Sequence, residues 1–385
     1  MIAYNKEWLD NNEIQEQLDD AFKTGCITKT EKEGAAAIYK SGFYSPNFFI
    51  RIGMYVLTVV IAVFSCGLAG IFFLSSGSEA AFSILLTLCG AGCYLMLELM
   101  IKNNHHYRSG VDDALIMMAP IFIISAINIA GNISFITNAF IVFVFAMFAV
   151  IRYADKLMAF IMTAALLYFI FLFLSQLGTM AKALAPFVLM IASAVIYFVS
   201  KKLAANQAYK YYKGCFTVMS VTVLVSLYTA GNYFVVRETS NLLFNLELAP
   251  EESISYGWVF WVFTISIPFV YIVWGVIKKD IVLIRTGLLL SVFVVLTVRF
   301  YYAVLPAELA MILAGVILVA LAYLLTQFLR EAKFGFTSAQ QAGENEDGLR
   351  NIEAIIIAET LTPAQQPQQR FGGGNFGGGG ASGDF

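Results

Sequence analysis

The chain has 385 residues, of which 59% are apolar and only 13% charged, with a formal net charge of −2. A soluble domain carries about 25% charged residues, so this balance excludes an ordinary globular enzyme and points to a membrane-embedded, all-α polytopic transmembrane helix bundle. The 34 Phe and 19 Tyr suit a lipid-facing surface with rings at its interfaces.

Residues 1–45 read as a cytoplasmic helical hairpin. Ile14, Leu18, Ala21 and Phe22 form one apolar stripe, and Gly25 supplies a stop. Thr28 and Glu31 make a capping box that starts a second helix, which Gly42 and Pro46 end. These residues are polar and acidic, so no cleavable signal peptide is expected. Five Lys against eight Asp or Glu give the head a net −3, the wrong sign for phosphate, so no nucleic-acid partner is expected.

From Phe48 onward the pattern predicts ten spans, at 48–74, 80–101, 113–131, 133–152, 157–176, 183–201, 215–236, 257–277, 281–303 and 307–329. Each has about 20 residues, enough to cross a hydrocarbon core of roughly 30 Å. With the N-terminus inside, inner segments hold 20 Lys or Arg, whereas the outer segments hold Lys182 and Arg237. That asymmetry predicts a multi-pass protein of the bacterial inner membrane with both termini cytoplasmic and the lipid bilayer as its main partner. A long outer loop is expected at 237–256.

The chain also carries an internal repeat. Ala130-Gly131-Asn132 recurs as Ala230-Gly231-Asn232, and Ala149-Val-Ile-Arg152 with Asp155 recurs as Gly275-Val-Ile-Lys278 with Asp280. Residues 46–112 then hold the first two spans, 113–202 a four-helix unit and 203–333 a second one. An even number of spans gives both units the same orientation, a parallel repeat. Residues 334–385 form a Gly-rich tail too poor in apolar surface to fold, so disorder is expected there.

Charge inside a membrane marks function by default. Arg299 shares its elbow with Tyr301, Tyr302 and Glu308, and the second unit thereby gains a charge pair that the first lacks. With Asn132, Asn232 and Tyr228 at other outer span ends, these form a candidate outer-side polar site: Arg299, Glu308, Tyr301, Asn132, Asn232 and Tyr228. An ion pair closing the hairpin and interhelical hydrogen bonds explain the same residues. Glu98 is expected to pair locally with Lys102. In a hydrated inner loop, His105, His106, Asp112 and Asp113 are weak metal candidates, and no metal or other cofactor is expected. Cys89 and Cys93 share a helix face as packing residues. No nucleotide-binding or hydrolytic motif occurs.

Two stretches carry a resemblance. The head from Leu18 through Gly25-Cys-Ile-Thr28 to Ile38, with the segment Asp280…Arg285-Thr-Gly-Leu288…Arg299-Phe-Tyr, resembles uncharacterised bacterial polytopic membrane proteins classed as domain-of-unknown-function families. That resemblance implies no activity. Phe371 to Phe385 is similar to the Gly-rich C-terminus of the TPM-domain family of envelope proteins, which implies a cytoplasmic protein partner for residues 371–385. The lead expectation is a non-enzymatic envelope-associated scaffold or accessory subunit. The alternative is a small-molecule, anion-accepting transporter with an outward-facing cavity, favoured if a polar track continues to mid-membrane.

Overall fold

A computed structural model describes residues 2–23, 25–74, 78–131, 133–244, 252–254, 256–301 and 307–328. The described chain is helical throughout, with one isolated bridge between Tyr44 and His106. Two short helices, α1 (Lys6–Lys23) and α2 (Lys29–Ile38), precede the long ones. These are α3 (Phe48–Leu74), α4 (Glu79–Asn104), α5 (Val111–Gly131), α6 (Phe135–Tyr153), α7 (Lys156–Gln176), α8 (Thr179–Ala204) and α9 (Lys213–Gly231). After α10 (Tyr233–Phe244) come α11 (Gly257–Lys278), α12 (Ile281–Tyr301) and α13 (Ala307–Phe328).

Nine helices among the described residues, α3 to α9 with α11 and α12, are long and apolar enough to cross a membrane. The chain is therefore a multi-pass membrane protein. The tenth expected span is the 22-residue helix α13, half of whose side chains lie outside the described residues. The seventh span ends sooner than expected. It stops at Gly231 rather than continuing to 236, and part of the expected loop 237–256 belongs to α10.

The head is a hairpin, as its capping box requires: Thr28 Oγ1 accepts from Glu31 N while Thr28 N donates to the Glu31 carboxylate. It is docked on one end of the bundle. Ala3 N donates to Arg152 O at 2.8 Å, Lys210 pairs with Asp10 at 2.6 Å, and Lys213 pairs with Glu13 at 3.7 Å. Tyr4, Trp8, Phe43 and Tyr107 interlock edge to face or stacked, joining head to body.

The connection from α4 to α5 is built, where a hydrated loop was expected. His105, Arg108 and Gly110 all have positive φ, and a Cβ on Gly110 would lie 2.1 Å from the Arg51 carbonyl oxygen. The turn is held by Asp112, 1% exposed, whose carboxylate accepts from Arg108 N, Ser109 N, Ser109 Oγ and Tyr4 Oη. Glu98 pairs with the Arg152 guanidinium through both its oxygens and accepts from Tyr153 Oη, not with Lys102. An i,i+4 partner was outbid by a planar fork of matching geometry on α6.

His106 lies in this turn with Nδ1 2.7 Å from Ser109 Oγ and its ring against Tyr44. Burial pulls its pKa below the ordinary 6.5, and the opposing pull of Asp112 is weaker. A folded pKa below the unfolded one gives stability that is present above about 6.5 and lost as pH falls through the folded value. Protease cleavage of the head should therefore accelerate on acidification through that range. His106→Gln should flatten the dependence, and an unchanged profile in that variant would assign the effect elsewhere.

The helices pair as close antiparallel neighbours: α4 with α5, α6 with α7, α8 with α9, and α11 with α12. Two of the hairpin turns share a geometry. Ala154 (φ 50°) precedes Asp155, which caps α7 by accepting from Met158 N. Lys279 (φ 57°) precedes Asp280, which accepts from Val282 N at the start of α12.

Candidate functional site

The end of the bundle opposite the head is organised by one amide. Asn232 ends α9 in an extended conformation, and its Oδ1 accepts from Phe234 N and Val235 N to start α10. Its Nδ2 donates to Tyr228 Oη and Thr297 Oγ1, both at 3.0 Å. Tyr233 N donates to Thr264 Oγ1 on α11. With both ends of its side chain used, Asn232 is 3% exposed and ties α9, α10 and α12 together.

From that tie α10 packs against α8, α9 and α11 with Tyr233, Val236 and Arg237 buried. Arg237 donates to the Glu252 carbonyl and pairs with Glu238 at 2.8 Å. Its guanidinium lies 5.5 Å from the centre of the Tyr301 ring, which also packs on Tyr233 and Trp261.

Beneath α10, between α7, α8 and α9, lies a cavity of about 250 Å³. Leu167, Phe171 and Leu189 give it apolar walls, and Ser226, Thr229, Thr239 and Ser240 add hydroxyls. Lys182 stands at one end and donates to Leu243 O at 3.3 Å. Among the described residues no carboxylate pairs with it. Ser193 stands at the other end, 0% exposed, with an Oγ that has no hydrogen-bond partner. A buried hydroxyl left so costs about 1–3 kcal/mol. Lys182 and Ser193 are 11 residues apart on α8, so they share a face and lie roughly 16 Å apart along the axis. Pro186 lies on the same wall and cannot donate to the Lys182 carbonyl.

The same face of α8 continues as a polar seam to the head end. Ser200 Oγ is 2.9 Å from Ser220 Oγ of α9, both buried. Tyr197 Oη donates to Asp280 Oδ2 at 2.6 Å, and Lys201 Nζ lies 2.7 Å from the same oxygen. Burial alone would raise the Asp280 carboxyl, but Lys201 and Tyr197 outweigh it and hold the pKa below its ordinary value.

The expected outer-side site is only partly assembled. Asn232 and Tyr228 meet, but in a structural tie that does not line the cavity. Tyr301 joins the aromatic cluster over α10, and Arg299 lies half-buried in the last turn of α12. Asn132 and the Glu308 side chain lie outside the described residues, as does the tail 371–385.

At the head end His105 packs on Trp8, His106 on Ser109, Asp113 on Arg51, and Asp112 holds its own turn. Among the described residues no three of His, Cys, Asp or Glu are grouped to hold a metal. Sequence reasoning missed Lys182, Ser193 and the Tyr197–Lys201–Asp280 cluster. The signal available was the spacing 182, 193, 200 on one helical face. No family model, no curated protein and no solved structure matches this chain.

Proposed function

We propose that this chain is a small-molecule transporter of the bacterial inner membrane, with head and tail in the cytoplasm and the α10 end facing outward. The observation that carries this reading is the cavity running from Lys182 to Ser193, which ends on an unpartnered hydroxyl deep within the length of α8. Transport requires a polar track that continues into the membrane, and the α8 face supplies one toward Asp280. The Lys and Arg asymmetry supports the orientation. The scaffold reading depends on residues 371–385, which lie outside the described residues.

Accessibility tests orientation and cavity together, in a background lacking the five native cysteines. A cysteine at Ser226, on the cavity wall, should react with an impermeant thiol reagent added to intact cells. One at Asn104 should react only after lysis, and Leu189→Trp should protect Ser226 by filling the space between. If Ser226 stays silent while a cysteine at Ser253 reacts, the cavity does not open outward and this function is wrong.

A further inference from the structure

We infer that the cavity beneath α10 takes a small organic carboxylate whose apolar body carries a second hydrogen-bonding group at its far end. The inference rests on the transporter reading of that cavity and names its ligand class. At about 250 Å³ the cavity is below the roughly 300–1,000 Å³ of sites for drug-sized ligands, so a two-chain lipid does not fit within it.

Its two ends differ in chemistry. Lys182 offers an ammonium whose one described hydrogen bond is to a backbone carbonyl, leaving it donors for an anion. Ser193 offers a hydroxyl that both donates and accepts, wholly withdrawn from solvent and unsatisfied. Between them Leu167, Phe171 and Leu189 give an apolar wall, with the hydroxyls of Ser226, Thr229, Thr239 and Ser240 also on the lining. A molecule that matches both ends is therefore anchored at its ends, with an apolar body against Leu167, Phe171 and Leu189. Phenol, hydroxyl or amide at the far end would serve equally, because the Ser193 Oγ accepts either role.

Radiolabelled ω-hydroxydecanoate, decanoate and decanediol serve as probes, with full-length protein in phosphatidylcholine nanodiscs and empty nanodiscs subtracted. The expected order is ω-hydroxydecanoate tightest. Lys182→Gln should weaken both carboxylates about tenfold or more and leave decanediol unchanged, since only the charge-assisted contact is lost. Ser193→Ala should weaken ω-hydroxydecanoate toward decanoate, whose own affinity should not fall. Nanodiscs containing phosphatidylglycerol should bind the probe as well as before.

Equal binding of the diol and the hydroxy acid, or indifference to Lys182→Gln, overturns the carboxylate assignment. So does loss of the probe to phosphatidylglycerol, which would make the headgroup of a bilayer lipid the occupant. Leu189→Trp separates the two levels of the argument. If it abolishes probe binding while the Lys182 and Ser193 variants do nothing, the cavity stands and the ligand class falls. If it changes nothing in a protein that remains monodisperse, the probes do not enter the cavity, and both inference and reading fall.

Discussion

Asp280→Ala should make a cysteine at Ser193 react from the head side of the membrane about tenfold faster or more than in the parent protein. On the transporter reading, Asp280 closes the head end of the α8 seam by holding Tyr197 at 2.6 Å and Lys201 at 2.7 Å on one carboxylate oxygen. The other oxygen receives Val282 N and starts α12. Removing the carboxylate leaves an ammonium and a phenol without their partner and the helix without its cap. Together these cost about 2–4 kcal/mol, enough to raise an open population by more than a factor of ten. Lys201 is 38% exposed, which places its share at the low end of that range. Tyr197→Phe and Lys201→Gln each remove one arm and keep the cap, so each should raise the rate less. The measurement is the rate of modification by an impermeant reagent in inside-out vesicles. A rate unchanged by Asp280→Ala in folded protein would show that this cluster closes nothing.

Asp112→Ala should release the head. The Asp112 carboxylate satisfies two backbone amides, a serine hydroxyl and the Tyr4 phenol in a turn with three residues at positive φ. Each buried donor left alone costs about 1–3 kcal/mol, so a loss of several kcal/mol is expected from this one change. Tyr4→Phe removes a single hydrogen bond of 3.3 Å and should cost about 1 kcal/mol or less. The readout is the protease sensitivity of residues 1–45 against that of the bundle. Equal protection of the head in Asp112→Ala and the parent would mean that the aromatic cluster and the Asp10–Lys210 pair hold it without the turn.

The features legible in the sequence were those set by composition and period. Span lengths follow from apolar runs, so Phe48–Leu74 and Lys156–Gln176 fall where the pattern puts them. The head's capping box was legible because both of its partners lie three residues apart. What failed was whatever depended on partners distant in the chain. Nothing in Glu98-Leu-Met-Ile-Lys102 tells that the guanidinium of Arg152 stands closer in space than Lys102. Apolar residues run past Gly231 to Val236, so period alone could not see that Asn232 would end the helix by receiving the next turn's amides. Ser193 was invisible for a different reason. A serine in an apolar helix ordinarily bonds to its own backbone, as Ser220 and Ser291 do, and only the packed structure shows one that does not.

The early stop of α9 also bears on the shape of the bilayer around the protein. At 1.5 Å per residue the 27 residues of α3 and the 26 of α8 are roughly 40 Å long, whereas the 19 of α6 and of α9 are roughly 28 Å. A hydrocarbon slab of roughly 30 Å matches the short pair and must thicken, or let the long helices lean, beside the others. The protein thus presents lipids with a rim of uneven height. Membranes of different thickness would load that rim differently, so acyl-chain length becomes a variable to which the α9–α10 junction is mechanically exposed.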